Sequence, residues 1–288
     1  MATGTRQLLI GIDGGGSGCR AAARWSDGPQ VFAATGGPAN ATTDRAQALS
    51  SVRAVVARVA ALAGAQAAEI AAARARIGLA GIMDEAMGRA FAELLPMRAE
   101  VGGDLELQVG GALGSGDGFV LAIGTGTIVA GRTGGRLRRA GGWGFPLSDQ
   151  ASGADLGRAV LRRVLLCEDG IADHSGLTRA LLAELGGDPR GLVAFAVGAK
   201  AEDYARFAPR IVAAAAAGDT QALAAMLEAA AYLDRALTAV GFRPGARLCL
   251  MGGVGPAYAP YLASAAQATL IAPAASAVDH ALALAAAL

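Results

Sequence analysis

Residues able to bind phosphate occur in a glycine-rich segment near the start of the chain. A short apolar run, Gln7 to Ile12, ends at Asp13, and small residues follow it: Gly14, Gly15, Gly16 and Ser17. Glycines here permit positive φ angles and let backbone N–H groups approach an anion without side-chain clashes. The Ser17 hydroxyl can donate to a phosphate oxygen, and Asp13 at the strand end can hold a magnesium ion through water. An ordinary hairpin opened by Asp13 would show the same pattern.

Two further glycine-rich segments follow apolar runs that are predicted to be strands. The run Phe119 to Ile123 leads into a turn of glycine and threonine: Gly124, Thr125, Gly126 and Thr127. The run Arg247 to Met251 leads into Gly252 and Gly253. Threonine hydroxyls in such a loop can donate to phosphate oxygens. Because the strand–loop unit recurs, nucleotide binding is favoured over an isolated hairpin.

Other phosphate, metal and nucleophile motifs are absent from the sequence. Lys200 is the one lysine among 25 basic residues, and it is followed by Ala201 with no GxxxxG before it, which excludes a Walker P-loop. Cys19 stands where the dinucleotide motif GxGxxG requires its third glycine. His174 and His280 lie in no HxxE or HExxH pattern, and no GxSxG elbow occurs.

Length, composition and charge favour a soluble globular protein made of one large domain or of two domains. Of 288 residues, 53% are hydrophobic and 17% are charged, so the chain can bury large cores. The net charge is +1 with no concentrated basic tract, and we therefore expect neither nucleic acid nor membrane as a partner. Met1 to Gln7 lacks an apolar signal core, which favours a cytoplasmic location. The three cysteines form no CxxC pair, which predicts buried thiols.

The spacing of apolar residues predicts an α/β architecture of mixed sheets flanked by helices. Helical spacing is found in four segments: Gln47 to Gly64, Asp155 to Leu166, Thr220 to Val240 and Ser276 to Leu288. A strand is predicted at Ala75 to Ala80. We place the division between two lobes near Gly102 to Leu105, giving lobes 1–104 and 105–275, and expect the helix in 276–288 to complete the first lobe.

The order of these segments resembles the N-acetylglucosamine kinase and BadF/BadG/BcrA/BcrD-type ATPase group of the actin and hexokinase superfamily, over nearly the whole chain. A phosphate-1 segment lies at Ile10 to Arg20, a phosphate-2 segment at Asp117 to Gly131 and an adenosine segment at Leu250 to Gly255. The run Gly141 to Asp149, continuing to Gly153, resembles the Gly-Gly-Trp-Gly stretch of amino-sugar kinases. The resemblance implies a two-lobe ribonuclease H-like fold with the ligand cleft between the lobes, and ATP and Mg²⁺ as cofactors.

The resemblance also implies roles for single residues. Asp104, thirteen residues before Asp117, matches the aspartate that acts as general base on the sugar hydroxyl, and a role as cap of the helix beginning at Leu105 is the alternative. Asn40 and Asp149 match residues that contact sugar hydroxyls. The implied substrate contacts are Asn40, Asp104, Thr125, Gly142, Trp143, Gly144 and Asp149.

Some of these residues have simpler explanations, and the family pattern is not matched throughout. A turn after Pro38 would account for Asn40, and we expect the ring of Trp143 to have a structural role while its neighbouring backbone meets the sugar. Gly103 precedes Asp104 where asparagine is common, Leu105 follows where alanine is usual, and Gln150 stands where glutamate normally follows Asp149. These departures leave the orientation of the sugar open.

The sequence thus predicts an ATP-dependent kinase that phosphorylates the 6-hydroxyl of glucosamine or N-acetylglucosamine, as a homodimer by resemblance. The stretch from Gly144 to Asp149 resembles the bacterial glucosamine-kinase branch, which favours glucosamine, whereas the loss of an acid at Gln150 favours N-acetylglucosamine. One alternative is the activator ATPase of a radical dehydratase, whose cysteine ligands are not evident. Another is a non-catalytic sugar sensor, although no helix-turn-helix precedes the first strand.

Overall fold

The computed structural model describes residues 6–288, so the part of the N-terminal prediction that concerns residues 1–5 lies outside it. The chain forms two compact units: the first runs to Ser115 and includes Pro273–Leu288, and the second is Gly116–Ala272. The division follows the helix that begins at Asp104, whereas the predicted boundary preceded it. The reason is that this helix packs against a strand and the C-terminal helix of the first unit.

Residues 6–288 form ten strands: β1 Leu8–Gly14, β2 Cys19–Trp25, β3 Val31–Gly36, β4 Arg74–Leu79, β5 Arg98–Gly103, β6 Gly118–Ile123, β7 Thr127–Thr133, β8 Arg136–Gly141, β9 Leu248–Met251 and β10 Leu270–Ile271. The α-helices in the same range are α1 Arg45–Leu62, α2 Ala67–Ala71, α3 Glu85–Ala92, α4 Asp104–Leu113, α5 Gly153–Glu168, α6 Gly176–Glu184, α7 Pro189–Gly198, α8 Ala201–Ala205, α9 Ala208–Ala216, α10 Thr220–Ala239, α11 Ser264–Gln267 and α12 Ala277–Ala285. A 3-10 helix spans Gly255–Tyr261. The strands and helices predicted from apolar spacing are therefore present, with ends shifted by a few residues.

The first unit is built on a five-stranded sheet of order β3-β2-β1-β4-β5. β1, β2 and β3 are antiparallel neighbours, and β4 and β5 continue parallel to β1. Because side chains alternate along β1, Leu8, Ile10 and Ile12 join the core that includes the valines of α1, whereas Leu9 packs with α12. Gly11 permits this second contact, since a Cβ there would lie 2.6 Å from the carbonyl oxygen of Val278.

The second unit repeats this arrangement of strands. Its sheet has the order β8-β7-β6-β9-β10, with β6, β7 and β8 antiparallel and β9 and β10 parallel to β6. In both units the strand–loop–strand hairpin recognised in the sequence forms the centre of the sheet. α5 and α10 begin at caps: the Ser152 hydroxyl accepts from the backbone N of Asp155 at 3.0 Å, and Asp219 accepts from Gln221 at 3.2 Å. Their apolar faces join β6 and β7 in one core.

Two further sequence predictions concern the cysteines and membranes. Cys19, Cys167 and Cys249 are free thiols and all three are buried, as predicted. Within residues 6–288, the helices are too short or too polar to cross a lipid bilayer.

Candidate active site

The loop after β1 places Asp13 at the end of a central strand. Asp13 lies opposite Arg20 of β2 and Gly78 of β4. The loop is closed by a hydrogen bond from the backbone N of Gly15 to the carbonyl of Gly18 (2.9 Å). Burial raises the pKa of the Asp13 carboxyl above its usual range, and the positive charge of Arg20 partly offsets this.

Gly14, Gly15 and Gly16 permit positive φ angles, but none of them adopts one. Their value is in close approach and open backbone. A Cβ at Gly14 would lie 2.6 Å from a methyl carbon of Leu79, whereas one at Gly16 would meet no atom of the described chain within 4 Å. The backbone at Gly16 is therefore accessible to an anion, in keeping with the prediction of phosphate binding.

Asp104 begins α4 beside Asp13. Gly78, the neighbour of Asp13 on β4, lets the start of α4 approach closely, because a Cβ on Gly78 would lie only 3.1 Å from the Cα of Asp104. The helix cap is Gly103 and offers no side chain, so Asp104 itself is the first helical residue rather than the cap. Burial, followed by the negative charge of Asp13, raises the pKa of Asp104 to about 6. A carboxyl with a pKa near neutrality suits a general base.

Gln108 is a site residue that sequence reasoning missed. Its Nε2 donates to Oδ2 of Asp104 at 3.0 Å, and its Oε1 is buried without a hydrogen-bond partner in the described chain. The hydrogen bond favours the ionised carboxylate and lowers the pKa of Asp104, opposing the effect of burial. The spacing of Asp104 and Gln108 could have predicted this contact, because residues four apart lie on the same face of a helix.

Asn40 lies between β3 and α1, and its side chain stabilises a turn. Its Oδ1 accepts hydrogen bonds from the backbone N of Thr42 and Thr43, both at 3.0 Å. The backbone N of Ala39 donates to the carbonyl of Gly15 at 2.9 Å, which places Asn40 beside the Asp13 loop. These hydrogen bonds support the interpretation of Asn40 as a turn residue. A contact between Asn40 and the sugar stays a prediction, and its amide nitrogen is the atom that would make it.

In the second unit the loop between β6 and β7 meets the segment after β9. The backbone N of Val254 donates to the carbonyl of Ile123 at 3.0 Å. Gly252 has φ +81°, and a side chain there would collide with the backbone of Ile123. Cβ atoms at Gly124 and Gly253 would meet no described atom within 4 Å, so both loops present open backbone. The predicted phosphate-2 and adenosine segments are thus brought together.

The hydroxyls of this loop differ in environment. Thr125 is partly exposed, whereas Thr127 is only 3% exposed. The Thr127 Oγ1 is buried and has no hydrogen-bond partner within the part of the chain that the structure describes. A buried hydroxyl without a partner is costly, and a hydrogen bond to a ligand would offset this cost.

Asp149 lies in the β8–α5 loop, residues 142–152, and rests on the Gly124–Thr127 turn. Its carboxylate accepts from the backbone N–H groups of Thr127 and Gly144, and burial raises its pKa. A Cβ on Gly126 would lie 2.9 Å from Oδ2 of Asp149, so a larger residue there would force the carboxylate to move. The structure therefore groups Asp149 with three other predicted site residues of this unit, Gly126, Thr127 and Gly144.

The ring of Trp143 does not pack in the core of its unit, and its role stays a prediction. The residue is 62% exposed, and the guanidinium of Arg139 lies 4.5 Å from the ring centroid. Gly142 and Gly144 on either side have φ angles of +73° and +92°. The flanking glycines turn the chain so that the indole leaves the core of its own unit.

Residues 10–267 match the model of the BadF/BadG/BcrA/BcrD ATPase family. The chain belongs to this family. It is 30% identical to the glucosamine kinase GspK of Vibrio cholerae over 275 residues, which cover 95% of this chain and 94% of that protein. It is 32% identical to a Chromobacterium violaceum protein assigned as an N-acetylglucosamine kinase, with a TM-score of 0.88 over 97% of this chain and 99% of the other.

A ROK family glucokinase from Streptomyces griseus, solved with glucose and AMPPNP, shares the fold with a TM-score of 0.57. It is 19% identical, and the match covers 97% of this chain and 98% of the glucokinase. The predicted family and the two-lobe actin and hexokinase-type fold are therefore confirmed.

Proposed function

We propose that the chain is an ATP-dependent amino-sugar kinase that transfers the γ-phosphate to the 6-hydroxyl of glucosamine or N-acetylglucosamine. The observation that carries this proposal is the carboxyl of Asp104, which is placed beside Asp13 and has a pKa of about 6. The similarity to a glucosamine kinase and to a protein assigned as an N-acetylglucosamine kinase supports the substrate class.

In the proposed reaction Asp104 accepts the proton of the sugar 6-hydroxyl as its oxygen forms a bond to the γ-phosphorus. The bond from that phosphorus to the leaving oxygen of ADP breaks. Phosphoryl transfer depends mainly on positioning and charge neutralisation, so the residues that hold the reactants matter as much as the base. Backbone N–H groups of the loops at Gly15–Gly16, Gly124–Thr127 and Gly252–Gly253 would bind the nucleotide.

Asp13 is the residue that we propose for Mg²⁺. The described chain contains no group of three or more His, Cys, Asp or Glu side chains suited to a metal. Mg²⁺ does not need one, because it is commonly bound by one or two carboxylates together with phosphate oxygens. Burial disfavours the charged form of the Asp13 carboxyl. A bound Mg²⁺ would stabilise that charge, so the carboxyl fits this requirement. Mg²⁺ supplies neutralisation of phosphate charge.

The sugar would be held by Asn40, Asp149, Thr125 and the backbone around Trp143. A free amine at C2 is cationic and favours a neighbouring carboxylate such as Asp149, whereas an acetamide needs an apolar surface and a hydrogen-bond donor. Both sugars therefore belong in the test. Assembly as a homodimer and action in the cytoplasm are part of the same proposal, and sedimentation of the purified protein would test the first.

The deciding experiment is a coupled ADP-release assay with glucosamine, N-acetylglucosamine and glucose. We expect an amino sugar to stimulate ADP formation and Asp104→Asn to reduce turnover by about a hundredfold or more, within the usual range for a general base. If no sugar stimulates ADP release, the kinase proposal fails. Full turnover by Asp104→Asn would refute the base. Iron with visible absorbance in the purified protein would instead favour the dehydratase activator.

A further inference from the structure

Two residues of the β8–α5 loop adopt a backbone conformation that is unusual for residues with side chains. Asp149 has φ +63° and Ala151 has φ +67°. Left-handed conformations are unfavourable for non-glycine residues, and they persist where the surroundings hold the chain in place. Such positions occur often at functional sites. The segment that carries the Asp149 carboxylate therefore needs contacts with neighbouring residues to keep this conformation.

Ala151 is restrained on both sides of its backbone. Its N–H donates to Oδ2 of Asp155 at 3.0 Å, and its carbonyl accepts from the hydroxyl of the fully buried Tyr258 at 2.7 Å. The backbone N of Ser152 also donates to the carbonyl of Asp149 at 3.1 Å. Asp155 therefore fixes the end of the loop from the first turn of α5.

Arg158 connects this end of the loop with its beginning. Its Nη2 donates to Oδ1 of Asp155 at 2.9 Å, and its Nη1 donates to the carbonyl of Phe145 at 3.3 Å. The guanidinium carbon lies 4.3 Å from the centroid of the Phe145 ring. The Arg158 side chain is only 25% exposed. One planar guanidinium thus ties residues on both sides of Asp149 to one helix, a geometry that the point charge of lysine does not reproduce.

We propose that Arg158 and Asp155 are positioning residues for sugar binding, which act by holding the β8–α5 loop so that the Asp149 carboxylate stays against the N–H groups of Thr127 and Gly144. This inference rests on the proposed contact between Asp149 and the sugar. Neither Arg158 nor Asp155 touches the substrate. Their removal should let the loop leave the left-handed conformation and displace the carboxylate.

The test compares Arg158→Met with Arg163→Met. Arg163 is a matched control, because it lies on the same helix, is 17% exposed and donates to Gln221 at 3.0 Å while pairing with Glu228. We expect Arg158→Met to raise the KM for the sugar about tenfold or more, as a misplaced binding group does, and to leave the KM for ATP within about twofold. Arg158→Lys should recover only part of the loss. An equal rise in sugar KM for Arg163→Met would overturn the proposal.

A double variant asks whether Arg158 acts through Asp149. If it does, Arg158→Met combined with Asp149→Ala should bind sugar no worse than Asp149→Ala alone, whereas fully additive losses would refute the coupling. If Arg158→Met fails to fold, Asp155→Asn replaces it, since this change removes the charge but keeps an oxygen for Ala151.

Hydrogen exchange separates this inference from the kinase proposal, because it requires no activity. Backbone amides of residues 144–151 should exchange at least about tenfold faster in Arg158→Met than in Arg163→Met, since local opening sets the exchange rate. Unchanged exchange in that segment would overturn the positioning role. Faster exchange without any sugar-stimulated ADP release would support positioning and reject the proposed substrate.

Discussion

The hydrogen bond between Gln108 and Asp104 makes the pH dependence of catalysis predictable. Deprotonated Asp104 is the active base in the proposed reaction, so the acid limb of kcat/KM should fall near its pKa of about 6. Gln108→Leu removes a donor that lies 3.0 Å from the carboxylate. Because that donor stabilises the charged form, its loss should raise the pKa and move the acid limb to higher pH.

The size of the shift follows from the strength of the bond. A hydrogen bond to a charged group contributes about 1.5–3 kcal/mol, and one pKa unit corresponds to about 1.4 kcal/mol, so the acid limb should move by about 1 to 2 units. At pH 6.5 the ionised fraction of Asp104 would then fall at least about threefold, while the loss of activity at pH 8.5 would be much smaller. Measuring kcat/KM by ADP release from pH 5 to pH 9 gives both values.

Gln47→Leu is the control for this experiment. Gln47 makes a comparable hydrogen bond within one helix, because its Nε2 donates to the hydroxyl of Ser51 at 3.0 Å. Both residues belong to α1, which carries none of the proposed site residues. An acid limb that stays in place in Gln108→Leu, or that moves equally in Gln47→Leu, would show that the amide does not tune the base.

Three further changes have expected outcomes. Asp104→Asn should raise the free energy of unfolding at pH 7.5 by about 3 kcal/mol, because a pKa of about 6 instead of 3.8 means that ionisation costs stability as pH rises through this interval; the gain should vanish below pH 4 in denaturant titrations. Gly11→Ala should lower the free energy of unfolding by about 1–3 kcal/mol, since its Cβ would meet the backbone of α12, whereas Gly28→Ala, whose Cβ meets no described atom within 4 Å, should have little effect. Trp143→Ala, at a site 62% exposed, should change stability by under about 1 kcal/mol, and Trp25→Ala, at a site 6% exposed, should cost about 3–5 kcal/mol; equal losses of stability for the two tryptophans would contradict the exposed position of the Trp143 ring.

Much of the fold could be predicted because its signals are local. Apolar runs that end in glycine turns indicated the hairpins at Asp13 and at Gly124–Thr127, and both are present. The boundary between the units could not be read in the same way. It depends on the packing of α4 against α12, which lies more than 150 residues away in sequence, and no local pattern reports such a contact.

The features of the site that the sequence did not predict depend on contacts and backbone conformations that residue type alone does not indicate. Left-handed backbone at Asp149 and Ala151 carries no glycine signal, so the loop conformation could not be anticipated. The exposure of Trp143 follows from the turns at its flanking glycines, whereas residue type alone favoured burial. Asn40 gave the correct turn, but its sequence context did not show that the turn occupies the carboxamide oxygen.

The packing of α12 on β1 also bears on biosynthesis. Leu9 and Ala22 of the first sheet are covered by Leu282 and Ala285, which the ribosome adds only after the whole of the second unit. Domains generally fold as units during synthesis, so Gly116–Ala272 can fold while the first sheet still exposes one apolar face. The first unit, although it opens the chain, is therefore the last to bury all of its apolar surface.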